Sequence, residues 1–283
     1  MTLVDRFPYR LVATDLDGTL LRRDHTVSAR TRAALSAAQA AGADHLVVTG
    51  RSVSATRHIL DDLGYRGLAV CGQGAQLYHS GEHRLLTSVT LDRALARAML
   101  ERLENGLGPL AVAASRDGLD GDFAMDDRFR AVAGSGFETE RAEREEAFTV
   151  TPDRSELFAR PLLKLYLQQP GRSEDELIAA ARPLVGDQVN LVISGEHLVE
   201  MLPAGLTKVT GLSLAARRLG VTAADTIAFG DMPNDIPMLR WSAHGVAMAA
   251  AHPEVLAVAD EVTGDNDADG IAEVIERLLS PAA

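Results

Sequence analysis

The chain has little of what marks secreted, membrane-spanning or nucleic-acid-binding proteins. Cys71 is its only cysteine, so no disulfide can form within the chain, which suits a reducing cytoplasm. No apolar run approaches the length of a membrane span, and residues 1–10 hold no apolar signal-peptide core. Its 28 basic residues are outnumbered by 40 acidic ones, and the net charge of −12 argues against nucleic acid or an anionic membrane surface as a partner. We therefore expect a cytoplasmic protein.

What the sequence does have is the composition of an ordinary globular protein, with 46% hydrophobic and 24% charged residues over 283 positions. That length is enough for one large domain or two smaller ones. Because the overall field is negative, an anionic ligand would have to be drawn in by a local cationic site.

Short apolar strands alternate with helices at both ends of the chain. Strands predicted at 11–13, 45–48 and 67–71 are separated by two predicted helices. This alternation is the signature of a parallel sheet with helical crossovers. Because the same pattern returns near the end of the chain, we predict an α/β core built from residues 1–82 and 204–283.

The middle of the chain, residues 83–203, follows a different pattern. Its first predicted strand is Arg84 to Thr90. The strands of this region come partly in pairs, which suggests an α+β unit inserted into the core. The stretch from Ser115 to Thr149 is polar, and we assign no element to it. Its charge run, Glu138 to Glu146, is interpreted as a solvated face or loop without chemistry.

The organising motif is Asp15-Leu16-Asp17-Gly18-Thr19, which directly follows the first predicted strand. Side chains at i and i+2 of a strand point the same way, so Asp15 and Asp17 would project together. Two carboxylates that close repel each other unless a cation lies between them. Mg²⁺ accepts one or two protein carboxylates together with water and phosphate. The alternative is a simple acidic turn, because Asp-Gly is a common turn pair.

Further polar groups follow other predicted strands. They can converge, because ligands of an open parallel sheet bind beyond the carboxyl ends of its strands. The groups in question are Thr49, Gly50, Asp231, Asn234 and Asp235. Asp231 would add a third carboxylate to Asp15 and Asp17 for Mg²⁺. The donors that suit phosphate oxygens are the Thr49 hydroxyl, the N–H groups near Leu16 and Gly50, and the Asn234 amide.

Lys208 would supply a positive charge to such a site. Taken alone it could be an exposed lysine at a helix start, but its spacing ahead of Asp231 and the preceding Gly205 favour a role in the site. Arg51 could contact a substrate or form a salt bridge with a neighbouring carboxylate. This set suits phosphoryl transfer, in which positioning and charge neutralisation do most of the work. A carboxylate can be the nucleophile, and Asp17 could exchange protons with the leaving oxygen and the attacking water.

Four stretches resemble, in order, the four motifs of the haloacid dehalogenase (HAD) superfamily. They are Asp15-Leu16-Asp17-Gly18-Thr19, Thr49-Gly50-Arg51, Lys208 and Gly230-Asp231-Met232-Pro233-Asn234-Asp235. The placement of the insert between the second and third motifs resembles the type IIB, or Cof-like, branch. That resemblance implies a Rossmann-like core with an inserted α+β cap of the C2B type, which closes over the site and selects the leaving group.

The resemblance also implies roles for individual residues. Asp15 would be the nucleophile and a Mg²⁺ ligand, and Asp17 would be the general acid/base whose backbone carbonyl binds the metal. Asp231 would be the third protein ligand of the metal, and Asp235 would support these ligands. The groups implied to hold the phosphate are the Leu16 amide, Thr49, Gly50, Lys208 and Asn234.

Two positions depart from the pattern of this family. Gln73 stands where relatives often have Asn, and Ala249-Ala250 stands where they often have Gly-Asn. No substrate contact is carried over to either position. His197 and Glu200, near the return from the insert to the core, are candidates to face the cleft.

The function we expect is Mg²⁺-dependent hydrolysis of small phosphorylated metabolites, with sugar phosphates ahead of phosphorylated cofactors by resemblance only. A phosphotransferase or mutase would use the same aspartyl-phosphate but pass the phosphoryl group to a sugar hydroxyl. A non-catalytic phosphate-responsive module also uses a carboxylate cluster, a Thr and a Lys, but it has no large insert.

Overall fold

A computed structural model describes residues 7–134, 148–195 and 198–280. Its strands are β1 Leu11–Thr14, β2 Asp44–Val48, β3 Leu68–Cys71, β4 Gln76–His79, β5 Arg84–Ser88, β6 Ala111–Arg116, β7 Phe123–Met125, β8 Phe148–Val150, β9 Leu162–Gln168, β10 Val189–Gly195, β11 Leu198–Pro203, β12 Thr226–Gly230, β13 His244–Ala247 and β14 Glu261–Val262. Its helices are α1 Ala29–Ala40, α2 Val53–Asp62, α3 Arg93–Leu107, α4 over residues 127–134, α5 Glu174–Val185, α6 Lys208–Leu219, α7 Ile236–Trp241, α8 Pro253–Leu256 and α9 Gly270–Leu279. None of these helices, within the described ranges, is long and apolar enough to cross a membrane.

The core sheet has eight strands in the order β14-β13-β12-β1-β2-β3-β4-β5. The six strands from β14 to β3 are parallel, as predicted, and β4 and β5 extend the sheet in antiparallel fashion. The predicted start of the cap at residue 83 is wrong by one strand, because Arg84–Ser88 pairs with β4 in the core sheet. A strand that extends a sheet edge has the same sequence pattern as a strand in a separate α+β unit, so its partner could not be read from the sequence.

Helices cover both faces of the core sheet, because its central strands are apolar on both sides. Val12 and Val47 pack with α1, α2 and α9, whereas Leu11 and Leu46 pack with α6, α7 and α8 on the opposite face. The carboxyl ends of β1, β2 and β12 therefore lie side by side at one edge of a buried sheet, where the predicted site residues follow them.

The cap sheet has six strands in the order β10-β11-β9-β6-β7-β8, antiparallel except for the pair β7–β8. Alternation along β9 and β11 divides their side chains between two faces. Leu165 and Met201 pack in one cluster with α3 and α5. Lys164, Tyr166 and Glu200 project from the other face into the cleft above the core. The α/β fold with an inserted α+β cap is thus confirmed.

The polar stretch from Ser115 to Thr149, to which the sequence analysis assigned no element, contains strand β7, helix α4 and the start of strand β8. Phe123 and Phe129 are buried here with centroids 5.8 Å apart. Strands of three residues are too short to show a period-two pattern. The charge run from Glu138 to Glu146 lies outside the described residues.

Candidate active site

The acidic loop after β1, which carries Asp15, directly contacts the acidic loop after β12, which carries Asp231. Asp15 follows β1, its side chain is buried, and its N–H donates to the carbonyl of Phe229 in β12 at 3.0 Å. Gly18 has a φ of +74°, and a Cβ there would lie 2.4 Å from Oδ2 of Asp231. The hydroxyl of Thr19 donates to Oδ1 of Asp231 at 2.7 Å. Gly18 and Thr19 thus fix the position of the Asp231 carboxylate. The sequence analysis gave this role to neither residue.

Lys208, at the start of α6, has its ammonium group among carboxylates. Nζ lies 2.6 Å from Oδ1 of Asp15 and 2.6 Å from Oδ1 of Asp235, and the lysine side chain is 1% exposed. The alternative of a surface lysine is therefore wrong. The second oxygen of Asp235 accepts from the N–H groups of Asp231 and Met232, both at 3.0 Å. Asp235 thus holds Lys208 and the loop that carries Asp231.

Burial and like charge dominate the electrostatics of this cluster. Burial raises the pKa of Asp15 well above its usual range; Lys208 opposes the shift, and Asp235 and Asp231 add to it. Burial, together with Asp235, also raises the pKa of Asp231 to about 7. Burial alone would lower the pKa of Lys208, but the carboxylates of Asp15 and Asp235 outweigh it. Three carboxylates thus share a single ammonium group, and the charged forms of Asp15 and Asp231 are disfavoured unless a further cation lies close by.

Oxygen atoms of Asp15, Asp231 and Asp235 lie within 4.8 Å of one another and could hold a metal ion. A set of oxygen donors with this charge fits a hard divalent cation. Asp235 is the least suited of the three as a ligand, because both of its oxygens already accept hydrogen bonds. These residues therefore fit a divalent metal, which the carboxylates of Asp15 and Asp231 could hold.

The carboxylate of Asp17 lies outside that cluster. It is 46% exposed and accepts two hydrogen bonds from the Arg51 guanidinium, both at 2.7 Å. Of the two alternatives for Arg51, the structure shows the salt bridge. Its bidentate geometry holds the Asp17 side chain at the side of the cleft.

Hydrogen-bond donors surround the cleft beside the carboxylates. Oγ1 of Thr49 accepts from the main-chain N–H two residues later at 3.1 Å, which leaves its own proton for a ligand. No described residue accepts a hydrogen bond from the N–H of Leu16 or of Gly50. Asn234 donates through Nδ2 to Oε1 of Gln73 at 3.0 Å. The structure thus brings these predicted donors together and adds Gln73, which the sequence analysis left out.

The cap contributes a buried ion pair to the same cleft. Nζ of Lys164 in β9 lies 2.6 Å from Oε1 of Glu200 in β11 and donates to the carbonyl oxygen of Gly50 at 2.8 Å. Glu200 lines the cleft, as the sequence suggested, whereas His197 is outside the described residues. Lys164 was missed. The available signal was a lysine in the middle of the largely apolar strand β9, because buried charges need partners.

A cavity of about 990 Å³ lies between the cap sheet and the carboxyl edge of the core. Asp15, Lys208 and Asn234 line it on the core side, and Phe129 and Tyr166 line it on the cap side. Its volume is typical of sites that enclose a small molecule. The cavity therefore joins a cluster of charged groups to a partly aromatic surface.

Comparison with known proteins identifies the family. The family model for haloacid dehalogenase-like hydrolases matches residues 12–275. The chain is 31% identical to phosphatase YwpJ of Bacillus subtilis, over 95% of this chain and 100% of that protein. It is 30% identical to an HMP-PP phosphatase of Serratia proteamaculans, over 96% of each. Its fold is similar to that of a sugar phosphatase of HAD subclass IIB, with a TM-score of 0.78 at 23% identity over 95% of this chain and 98% of that one.

The fold and the site define a capped α/β hydrolase. The chain belongs to the haloacid dehalogenase-like hydrolases, and it is a phosphatase. The family resemblance of its four motifs is confirmed.

Proposed function

We propose that the protein hydrolyses phosphate monoesters of small metabolites, with Mg²⁺ as cofactor and Asp15 as nucleophile. The observation that carries the proposal is the 2.6 Å pairing of Asp15 with Lys208 inside a carboxylate cluster that lines the cavity. A phosphoryl group bound there would meet a nucleophilic oxygen and a positive charge side by side. Such positioning and charge neutralisation supply most of the catalysis in phosphoryl transfer.

In the proposed mechanism, Asp15 attacks phosphorus and forms an aspartyl-phosphate while the bond to the leaving oxygen breaks. Asp17 gives a proton to that oxygen and later takes one from the water that hydrolyses the intermediate. Bound Mg²⁺, held by Asp15, Asp231 and the main-chain carbonyl of Asp17, would neutralise the negative charge of the carboxylates and the phosphate. The groups proposed to bind the phosphate oxygens are the Leu16 amide, Thr49, Gly50, Lys208 and Asn234.

Small phosphorylated metabolites are the substrate class that the site and the relatives support. The similar proteins named above include an HMP-PP phosphatase and a sugar phosphatase. A cavity of about 990 Å³ has room for a leaving group of metabolite size. Within this class we favour sugar phosphates. The net charge of −12 speaks against a nucleic acid substrate.

The experiment is an assay of phosphate release from a panel of phosphorylated sugars and cofactors in Mg²⁺, with the Asp15→Asn variant beside the wild type. An amide keeps the shape of the carboxylate but is a poor nucleophile, so turnover is expected to fall at least about a thousandfold in a folded protein. The control is Asp62→Asn, because Asp62 is exposed at the end of α2 and is expected to be dispensable.

Three outcomes are informative. Phosphate release by the wild type but not by Asp15→Asn supports the proposal. Full turnover by Asp15→Asn would contradict the mechanism. If a phosphorylated acceptor accumulates in place of free phosphate, the same intermediate serves a phosphotransferase or mutase.

A further inference from the structure

Gln73 is a buried glutamine that joins the core to the cap beside the proposed phosphate-binding groups. Its Oε1 accepts from Nδ2 of Asn234 at 3.0 Å, and its Nε2 donates to Oε2 of Glu200 at 3.0 Å. Its main-chain N–H donates to the carbonyl oxygen of Thr49 at 3.2 Å. Because both ends of the amide are used, the Gln73 side chain is held in one orientation.

The backbone of Gln73 directs its side chain to this place. Its φ of 60° and ψ of 28° lie in the left-handed region, which glutamine rarely adopts. A Cβ at Gly50 would lie 2.6 Å from Nε2 of Gln73, so the amide lies directly over Gly50. Gly50 therefore leaves the space that the glutamine amide occupies.

Glu200 anchors this amide on the cap side. Its Oε1 accepts from Nζ of Lys164 at 2.6 Å and from Oγ of Ser194 at 2.7 Å. Lys164 in turn donates to the carbonyl oxygen of Gly50 at 2.8 Å. Gly50 thus contacts both Lys164 and Gln73, and both of these bind Glu200. We call Gln73, Glu200, Lys164 and Ser194 the cap–core network.

Asn234 depends on this network for its orientation. Its Oδ1 is buried without a hydrogen-bond partner among the described residues, whereas its Nδ2 is bound to Gln73. That bond uses one N–H of the Asn234 amide and directs the other, which remains for a ligand. Without the Gln73 carbonyl, the Asn234 amide could turn and present its oxygen to an anion, which would weaken anion binding.

We infer that Gln73 and Glu200 are positioning residues of the phosphate site. They hold the Asn234 amide and the Gly50 segment in the orientation that binds phosphate, and they do so only while the cap is docked on the core. This inference rests on the proposed function, in which Asn234 and Gly50 bind phosphate. A substrate that allows the cap to dock thereby completes its own phosphate site.

The test measures the binding of inorganic phosphate to the full-length protein in Mg²⁺ by titration calorimetry. Gln73→Met removes both side-chain hydrogen bonds at similar side-chain volume. We expect it to weaken phosphate binding about tenfold, the fold-change that corresponds to one hydrogen bond to a charged group. In turnover assays KM should rise by a similar factor while kcat changes by less than about twofold, because Asp15 and Asp17 keep their contacts.

Gln76→Met is the matched control. Gln76 is also a buried glutamine that donates to a cap carboxylate, Asp117, at 2.9 Å. Its Oε1 accepts from the N–H of Val53 and not from Asn234. The control variant therefore loses one hydrogen bond between core and cap and one within the core, as Gln73→Met does, and it is expected to bind phosphate as the wild type does.

A double-mutant cycle with Asn234→Ala separates positioning from a general loss of structure. If Gln73 positions Asn234, Gln73→Met will cause a smaller loss once residue 234 is alanine, because only its contact with the Gly50 segment then remains to be lost. Equal losses with and without the Asn234 amide would overturn the inference, because Gln73 would then act by another route.

The cap side is tested by replacing the ion pair as a unit, with Lys164→Met and Glu200→Met together, which leaves no buried charge unpaired. This double variant is expected to weaken phosphate binding at least as much as Gln73→Met. Binding as tight as that of the wild type in either variant would overturn the inference and leave the proposed function intact. If the wild-type protein binds no phosphate, both the inference and the proposed function are contradicted, because there would be no phosphate site to position.

Discussion

Lys208 and Asp15 are 193 positions apart in the sequence, yet Nζ of the lysine lies 2.6 Å from Oδ1 of the aspartate. Their side chains are only 1% and 8% exposed. The same ammonium group donates to Asp235, also at 2.6 Å. Lys208 therefore holds together two buried carboxylates that would otherwise repel each other, and it places a positive charge beside the proposed nucleophile.

Lys208→Met is expected to lower kcat/KM at least about a hundredfold, because a positive charge near a phosphoryl group acts strongly in a site that excludes water. Steady-state kinetics on the best substrate of the panel measures the loss. Arg217→Met is the control, since Arg217 is exposed on the same helix. Activity equal to that of the wild type in a folded Lys208→Met protein would show that the ammonium group has no part in the reaction.

Gly18 and Gly42 form a second matched pair. Both have positive φ, 74° and 98°, but a Cβ at Gly42 meets nothing within 4 Å, whereas one at Gly18 lies 2.4 Å from Oδ2 of Asp231. Alanine at either position costs about 1 kcal/mol in conformational energy. Urea unfolding should show that loss in Gly42→Ala with activity intact. Gly18→Ala should also displace Asp231 and lose turnover, and equal activity in the two variants would contradict this.

His45 in β2 should make stability depend on pH. Its Nε2 is hydrogen-bonded to Oγ1 of Thr14 at 2.9 Å, and burial lowers its pKa to about 4. In the unfolded chain, histidine has a pKa of about 6.5. Between that pH and the folded pKa of His45, the unfolded state binds more protons than the folded state. The free energy of unfolding therefore falls as the pH falls through this range. From about pH 7.5 to about pH 5 we expect a loss on the order of 1–2 kcal/mol from this residue.

Urea unfolding of His45→Gln over that pH range tests the prediction. The variant should lack this part of the pH dependence, because glutamine can still bond Thr14 but does not titrate. The same pH dependence in both proteins would show that another group is responsible.

Most of the candidate site on the core could be predicted, because all of its side chains except Lys208 lie in loops that follow strands. Asp15, Thr49 and Asp231 all follow apolar runs, and the carboxyl ends of parallel strands meet at one edge wherever those strands occur in the chain. No such rule brings Gln73 to Glu200, 127 positions away. That contact depends on how the cap sheet docks on the core, which no local pattern encodes.

Removal of the divalent cation is expected to stop turnover reversibly and to lower stability. An ion that binds only the folded state stabilises it by about 2.7 kcal/mol at about 100 times its Kd. Thermal unfolding with and without Mg²⁺ measures this effect. Asp231→Asn should lose most of it, because Asp231 lies in the carboxylate cluster, whereas the exposed Asp62→Asn should keep it. Robust turnover in excess chelator, or equal stabilisation of both variants by Mg²⁺, would contradict a metal site on these carboxylates.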